Sequence, residues 1–268
     1  MSAEPATARL ETGLQSVIKS FALIEALVEA GEASAAALAS ELGEPRSSVY
    51  RMLATLQQMN IVEAGSRRGL YRPGLGLVQL AGGVLTRFDE RQLVMPVLDG
   101  LRAETKETVH LCLRRGFQAV FIERLPGERA HALAIKLGGV LPLHVGASPR
   151  ALLAFEPDSF WDDYFAGTTL EPWTRTSPCT EAEIREILHE IRRTGVSFSD
   201  EDVVVGVSTV GAPIFDHRGV VRAALAFNLL PEVLRRDREQ YAELARAASA
   251  GASRAFGYDL DAKGLPTP

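Results

Sequence analysis

The chain has 268 residues, 46% apolar and 24% charged, an ordinary globular balance whose length predicts two domains, one of them small. Its only cysteines, Cys112 and Cys179, lie far apart. They make neither a disulfide framework nor a metal-ligand pair, and a reducing, cytoplasmic compartment is expected. The net charge of −5 argues against nucleic acid at first sight, but between Pro45 and Pro73 five arginines (Arg46, Arg51, Arg67, Arg68, Arg72) face one carboxylate, Glu63. That local excess is the relevant footprint, because phosphate attraction acts over about a Debye length.

Residues 1–13 lack an apolar run and read as a flexible tail, as do residues 259–268. No segment reads as a membrane span, since the charge-free run 203–215 is about half the required length and is broken by Gly206 and Gly211. Ser16 is placed to cap a first helix with Val17, Phe21, Ile24, Leu27 and Val28 as its apolar stripe, ended by Gly31. Ser34 then caps a short helix, Ala35 to Leu42, and Gly43 supplies the left-handed turn. Pro45 opens a third, capped helix that runs to about Asn60 over a stripe of Val49, Met52, Leu53, Leu56 and Met59.

Two helices around a glycine turn are the helix-turn-helix pattern. Off the apolar stripe, Arg46, Ser47, Ser48, Tyr50 and Arg51 cluster near the start of the third helix, where a recognition helix reaches base edges in the major groove. Arginine pairs with guanine O6 and N7, and serine serves base or phosphate. Next, 61–64 and 70–72 read as two strands around Gly65-Ser66-Arg67-Arg68-Gly69. A hairpin there is a wing, with Arg67 and Arg68 at its tip for phosphate or minor-groove contact.

Glu44-Pro45-Arg46-Ser47-Ser48-Val49-Tyr50-Arg51-Met52-Leu53 resembles the recognition-helix signature of the IclR family of bacterial regulators, and Gly69 to Gly74 resembles its wing and exit. Downstream, Pro142-Leu143-His144, Ala151-Leu152-Leu153-Ala154, Gly195-Val196-Ser197-Phe198 and Gly206-Val207 leading to Gly211-Ala212-Pro213-Ile214-Phe215-Asp216 continue the likeness. The chain departs from the pattern at Pro149-Arg150, where the family commonly has Gly-Lys, and at Gly211, where it usually has alanine. The resemblance implies an α+β chain: a winged helix-turn-helix over 14–74, a linker helix over 75–91, and a GAF/PAS-like mixed α/β effector-binding domain over 92–258. It also implies homodimers, often paired into tetramers on double-stranded DNA.

The linker pattern is Leu75, Val78, Leu80 (or Gln79 and Ala81), Leu85 and Phe88, weakened by Gly82-Gly83. Val94, Val97, Leu98 and Leu101 mark a helix, 109–113 and 119–123 a strand pair, 133–137 a further strand, and 149–155 a short helix. Thr180 and Glu183 form a capping box before Ile184, Ile187, Leu188 and Ile191, closed by Gly195. Residues 208–215 and 220–227 read as an antiparallel hairpin, and 231–256 as a helix broken near Asp237. A mixed sheet covered by helices on one side is expected.

Carrying the family's effector pocket over gives Leu133 and Leu141 as walls, Ala147 and Ser148 before the short helix, Ser199 ahead of an acidic run, Thr209 on one hairpin strand, and Ala226 and Asn228 on the other. Alternation puts 226 and 228 on one sheet face, and a buried Asn228 needs a partner, either ligand or backbone. These hooks are neutral, so the implied effector is a small organic or aromatic acid held by hydroxyls, an amide and backbone N–H groups. No cofactor is implied. Val210 replaces the second glycine that would make Gly206-x-Ser208 a nucleophile elbow, and the five histidines have no metal-site spacing, so no catalytic or metal site is expected. An enzyme carrying a winged helix would need a nucleophile–base pair, and a protein-binding adaptor would leave the basic face dispensable. An effector-controlled regulator that reads a near-palindromic operator accounts for both halves of the chain.

Overall fold

The computed structural model describes residues 15–85, 89–128 and 136–267, and the chain divides into two units, 1–87 and 88–268. The first contains α1 (Gln15–Ala30), β1 (Ala33–Ser34), α2 (Ala35–Leu42), α3 (Arg46–Gln58), β2 (Val62–Ala64), β3 (Leu70–Pro73) and α4 (Leu75–Leu85). The Ser34 hydroxyl accepts from the Ala37 N–H, and Gly43 at φ 64° closes α2, as the local chemistry of serine and glycine predicts. Leu23 and Leu27 of α1, Leu38 of α2, Val49, Leu53 and Leu56 of α3, and Ile61 and Val62 make the core.

Three expectations are corrected in this unit. Ser16 lies inside α1, where its carbonyl accepts from the Ser20 hydroxyl. The helix is also turned from the expected stripe: Leu23 is buried while Val17, Phe21 and Val28 are at least half exposed. Residues 15–30 carry apolar side chains on more than one helical face, so periodicity alone does not choose between them. Third, α3 starts at Arg46 behind Pro45 with no side-chain cap, and Met59 beyond its end is exposed. The unexpected β1 pairs with β3, giving a three-stranded wing in the order β1-β3-β2.

The second unit runs α5 (Asp89–Thr105), β4 (Val109–Arg115), β5 (Gln118–Leu125), β6 (Val140–Pro142), α6 (Ala147–Ala154), α7 (Asp158–Ala166), α8 (Glu181–Thr194), β7 (Ser197–Asp200), β8 (Ser208–Phe215), β9 (Val221–Leu229), α9 (Pro231–Arg236), α10 (Arg238–Ala255) and α11 (Leu260–Lys263). Six strands lie in the order β6-β5-β4-β9-β8-β7. Every pairing among the described residues is antiparallel, so the sheet is not mixed in direction. Nor are the helices confined to one side. Ala223, Leu225 and Phe227 of β9 pack with Val94 and Leu98 of α5 and Ala245 and Ala252 of α10. Ala224 points the other way, in a cluster with Leu152 of α6, Trp161 of α7 and Ile184 of α8. The two-residue period of β9 thus carries apolar groups on both faces, the signature of a strand buried twice.

The capping box of Thr180 and Glu183 forms both of its reciprocal bonds, and the last long helix breaks at Asp237 between α9 and α10. The expected linker helix appears as α4 and the start of α5, with 86–88 outside the described residues. The proposed strand 133–137 lies outside them up to 135 and gives way to a turn beyond; the edge strand is β6. The flexible tail expected from 259 is also corrected through residue 267. Asp259 caps α11 with its carboxylate, and the partly buried Leu265 packs on the α6–α8 core and anchors the segment.

Candidate functional site

The start of α3 carries no acidic residue in its first turn and no side-chain cap. The positive end of its dipole is therefore open to an anion. Arg46, Ser47, Tyr50 and Arg51 project from it exposed, while Ser48 is half buried beside an apolar groove of α1 and α4. Arg67 and Arg68 are exposed at the wing tip. Among the described residues none of these four arginines forms a close ion pair, although the Arg67 charge acts on Glu32, whereas Arg72 sits 3.3 Å from Glu63. Glu63 also accepts from the Leu75 N–H at 3.0 Å. The wing is braced by Glu32, a residue the sequence reading passed over. Its carboxylate accepts from the Ser66 N–H and from the Ser66 hydroxyl, and these bonds hold its pKa below the usual carboxylate range. Only contact across 34 residues of chain shows that role.

In the second unit a cavity lies on the sheet face beneath α6. Leu141, Ala147, Ser148, Thr209, Ala226 and Asn228 all line it, and His110, Phe121, Gly146, Pro149, Val203, Val204 and Val207 complete the wall. Leu133 lies outside the described residues. Ser199 is on β7 opposite Thr209 but does not line the cavity; its hydroxyl donates to Asp202. The enclosed space is about 30 Å³, room for a water or two.

The polar lining is largely satisfied from within. Thr209 donates to Asn228 Oδ1 at 3.3 Å, Asn228 also bonds the His110 ring, and the Ser148 side chain bonds the Cys112 thiol. Burial pushes that thiol up to about 12, so it stays protonated. Asn228 thus finds side-chain partners, not the strand-end backbone. His110 is 3% exposed, with its Nδ1 unpartnered among the described residues. Burial, assisted by the Arg124 charge, lowers its pKa to about 4.

Residues 201–207 form the outer wall, where Val203, Val204 and Val207 face the cavity. Arg235 of α9 holds Asp200 at 3.0 Å and Glu201 at 2.7 Å, and Glu201 accepts from the Gly206 N–H at 2.9 Å. From the other side Arg150 of α6, almost fully buried, meets Asp202 at 2.7 Å and donates to the Phe198 carbonyl. Gly211 sets the seat of α6: a Cβ there would lie 2.9 Å from the Ser148 nitrogen. Elsewhere, Ser208 donates to Asp200 at 2.5 Å. Among the described residues no group of three or more His, Cys, Asp or Glu is placed to hold a metal, and no helix is long and apolar enough to cross a membrane.

A basic, uncapped recognition helix with a wing, and in the second unit a sheet domain enclosing a small polar-lined cavity, match known proteins in both halves. Residues 16–65 match the IclR helix-turn-helix domain and residues 82–254 the bacterial transcriptional regulator IclR C-terminal domain. The chain is 29% identical over 248 residues to the HTH-type transcriptional regulator KipR of Bacillus subtilis, covering 91% of this chain and 98% of that one. The crystal structure of Thermotoga maritima IclR superimposes with a TM-score of 0.77 at 27% identity, covering 92% of this chain and all of that one. An IclR homologue of Microbacterium hydrocarbonoxydans complexed with 4-hydroxybenzoate shares the fold, with a TM-score of 0.79 at 22% identity over 91% and 99% of the two chains. The chain therefore belongs to the IclR family of transcriptional regulators, with an N-terminal helix-turn-helix DNA-binding domain and a C-terminal effector-binding domain.

Proposed function

We propose that the chain acts as a cytoplasmic homodimer, pairing further into tetramers on DNA, and places two copies of α3 in successive major grooves of a near-palindromic operator about 34 Å apart. Arg46, Ser47, Tyr50 and Arg51 read base edges or flanking phosphates, Ser48 contributes from the groove side, and Arg67 and Arg68 hold phosphate or the minor groove. The observation that carries this reading is the set of four exposed arginines that form no close ion pair among the described residues, around a helix start that lacks a cap. Unpaired surface cations are free to release counterions from a duplex, and that release supplies much of the affinity.

In this reading the cavity takes a small organic or aromatic acid, and the protein regulates transcription without catalysing a reaction. The neutral lining supports an acid held by hydroxyls, an amide and the first N–H groups of α6. The fold relative bound to 4-hydroxybenzoate supports the same class. Because the enclosed space is only about 30 Å³, the acid enters as the 201–207 wall moves out, and it shifts the dimer between geometries that match or miss the operator. Fluorescence anisotropy on duplexes from the promoter of its own gene, with and without small acids, tests the proposal. Arg46→Ala or Arg51→Ala is expected to change which sequences are preferred. If wild-type protein ignores all such duplexes at low salt, the reading fails.

A further inference from the structure

Ser148, Thr209 and Asn228 each find a partner inside the protein, and Ser199 is taken up by Asp202. His110 is different. It stands on β4 directly across from Ala226 of β9, so its ring lies on the same sheet face as the carried-over pocket positions. Phe121 meets the ring edge-on at 6.0 Å and 84°, and Asn228 engages it from the neighbouring strand. The ring is therefore oriented before any ligand arrives. Yet Nδ1, in a side chain 3% exposed, has no hydrogen-bond partner among the described residues. Buried polar atoms are nearly always satisfied, and an exception in a residue that lines a cavity points to a group supplied from outside.

The chemistry of that group follows from the ring's surroundings. Arg124 pairs with His110 across β4 and β5, and its charge together with burial keeps the imidazole neutral. A neutral ring gives a carboxylate no counter-charge. A hydroxyl both donates and accepts, so it satisfies Nδ1 in either tautomer, whereas a carbonyl serves only one.

Resting on the reading of this cavity as the effector site, we infer that His110 selects the effector by hydrogen-bonding a hydroxyl group, so that the preferred ligand is a hydroxylated small acid rather than its unsubstituted parent.

Isothermal titration of the full chain with matched pairs, lactate against propionate and 4-hydroxybenzoate against benzoate, tests the inference. Wild-type protein is expected to bind the hydroxylated member of at least one pair tenfold or more tightly. His110→Leu should lose that preference, and His110→Gln should restore part of it. In wild-type protein, without any substitution, the His110 Nδ1 resonance should shift on adding the hydroxylated acid and stay in place on adding the parent. An unchanged preference in His110→Leu, or equal wild-type binding of both members, overturns the role of His110 but leaves the effector reading standing. If no acid binds wild-type protein, or if binding survives a Ser148→Trp plug, the effector reading itself is lost and this inference with it.

Discussion

Arg67 and Arg68 at the wing tip and Arg150 beside the cavity are the same side chain in opposite circumstances. The wing pair is exposed and unmatched, and its charge is available to a partner. Arg150 is buried against Asp202 and the Phe198 carbonyl, and its charge is consumed internally. The first unit keeps its polarity outside a small apolar core, so its recognition groups cost little in stability. The second encloses polar groups between two apolar layers, where binding and folding draw on the same side chains. The contrast teaches where function and stability separate along one chain, and three measurements can break or sharpen it.

The largest effect is expected at Arg150. Arg150→Met leaves the Asp202 carboxylate buried without its counter-ion and should cost about 3–5 kcal/mol, while Arg150→Met with Asp202→Leu should recover most of it. Trp161 and Trp173, the only tryptophans, both lie in the effector unit, so urea unfolding followed by tryptophan emission reads this unit alone. A single-mutant loss under about 1 kcal/mol would mean the pair is not desolvated as described.

Acid comes next. Burial lowers the pKa of His110 and of His144 from 6.5 to about 4. Above 6.5 both are neutral whether folded or not. As pH falls from 6.5 towards 4 the unfolded chain takes up protons that the folded unit refuses, so stability declines, by at most about 1.4 kcal/mol per pH unit for each histidine. The chain has no histidine before residue 110, so the helix-turn-helix unit should show no such decline in that window. Unfolding at pH 7, 6 and 5 by tryptophan emission and by far-UV circular dichroism distinguishes the two; a flat tryptophan response would contradict buried, neutral rings.

The smallest stability effect belongs to the wing. Arg67→Ala with Arg68→Ala should change stability by less than about 0.5 kcal/mol yet lower affinity on every duplex and flatten the slope of log affinity against log salt by about two. A destabilised double mutant, or an unchanged slope, would erase the contrast with Arg150.

Much of this is legible in the sequence wherever the signal is local. Ser34 and Gly43 bound α2, Thr180 and Glu183 open α8, and the 208–215 strand was readable because cap, turn and period are written within a few residues. What stayed hidden depended on distant partners. The inward face of α1 is chosen by what α2 and α3 offer to Leu23 and Leu27. The two-residue β1 exists only because β3 pairs with it, and α7 shows few start signals yet buries Trp161, whose indole donates to the Leu153 carbonyl. The cavity positions carried over from the family pattern converge, apart from Ser199 and the undescribed Leu133. His110 gave no local sign, since a lone histidine on a strand reads the same in water as in a core until its neighbours are known.

The seat of α6 on β8 has a consequence for how ligand size is chosen. With only a hydrogen at residue 211, helix and strand meet backbone to backbone, and any methyl there would press on the Ser148 nitrogen. On the proposed reading of this cavity, residue 211 works as a shim under the roof: glycine gives the lowest ceiling, alanine would raise it, and the bulk of the molecule admitted is graded by an atom that no ligand needs to touch.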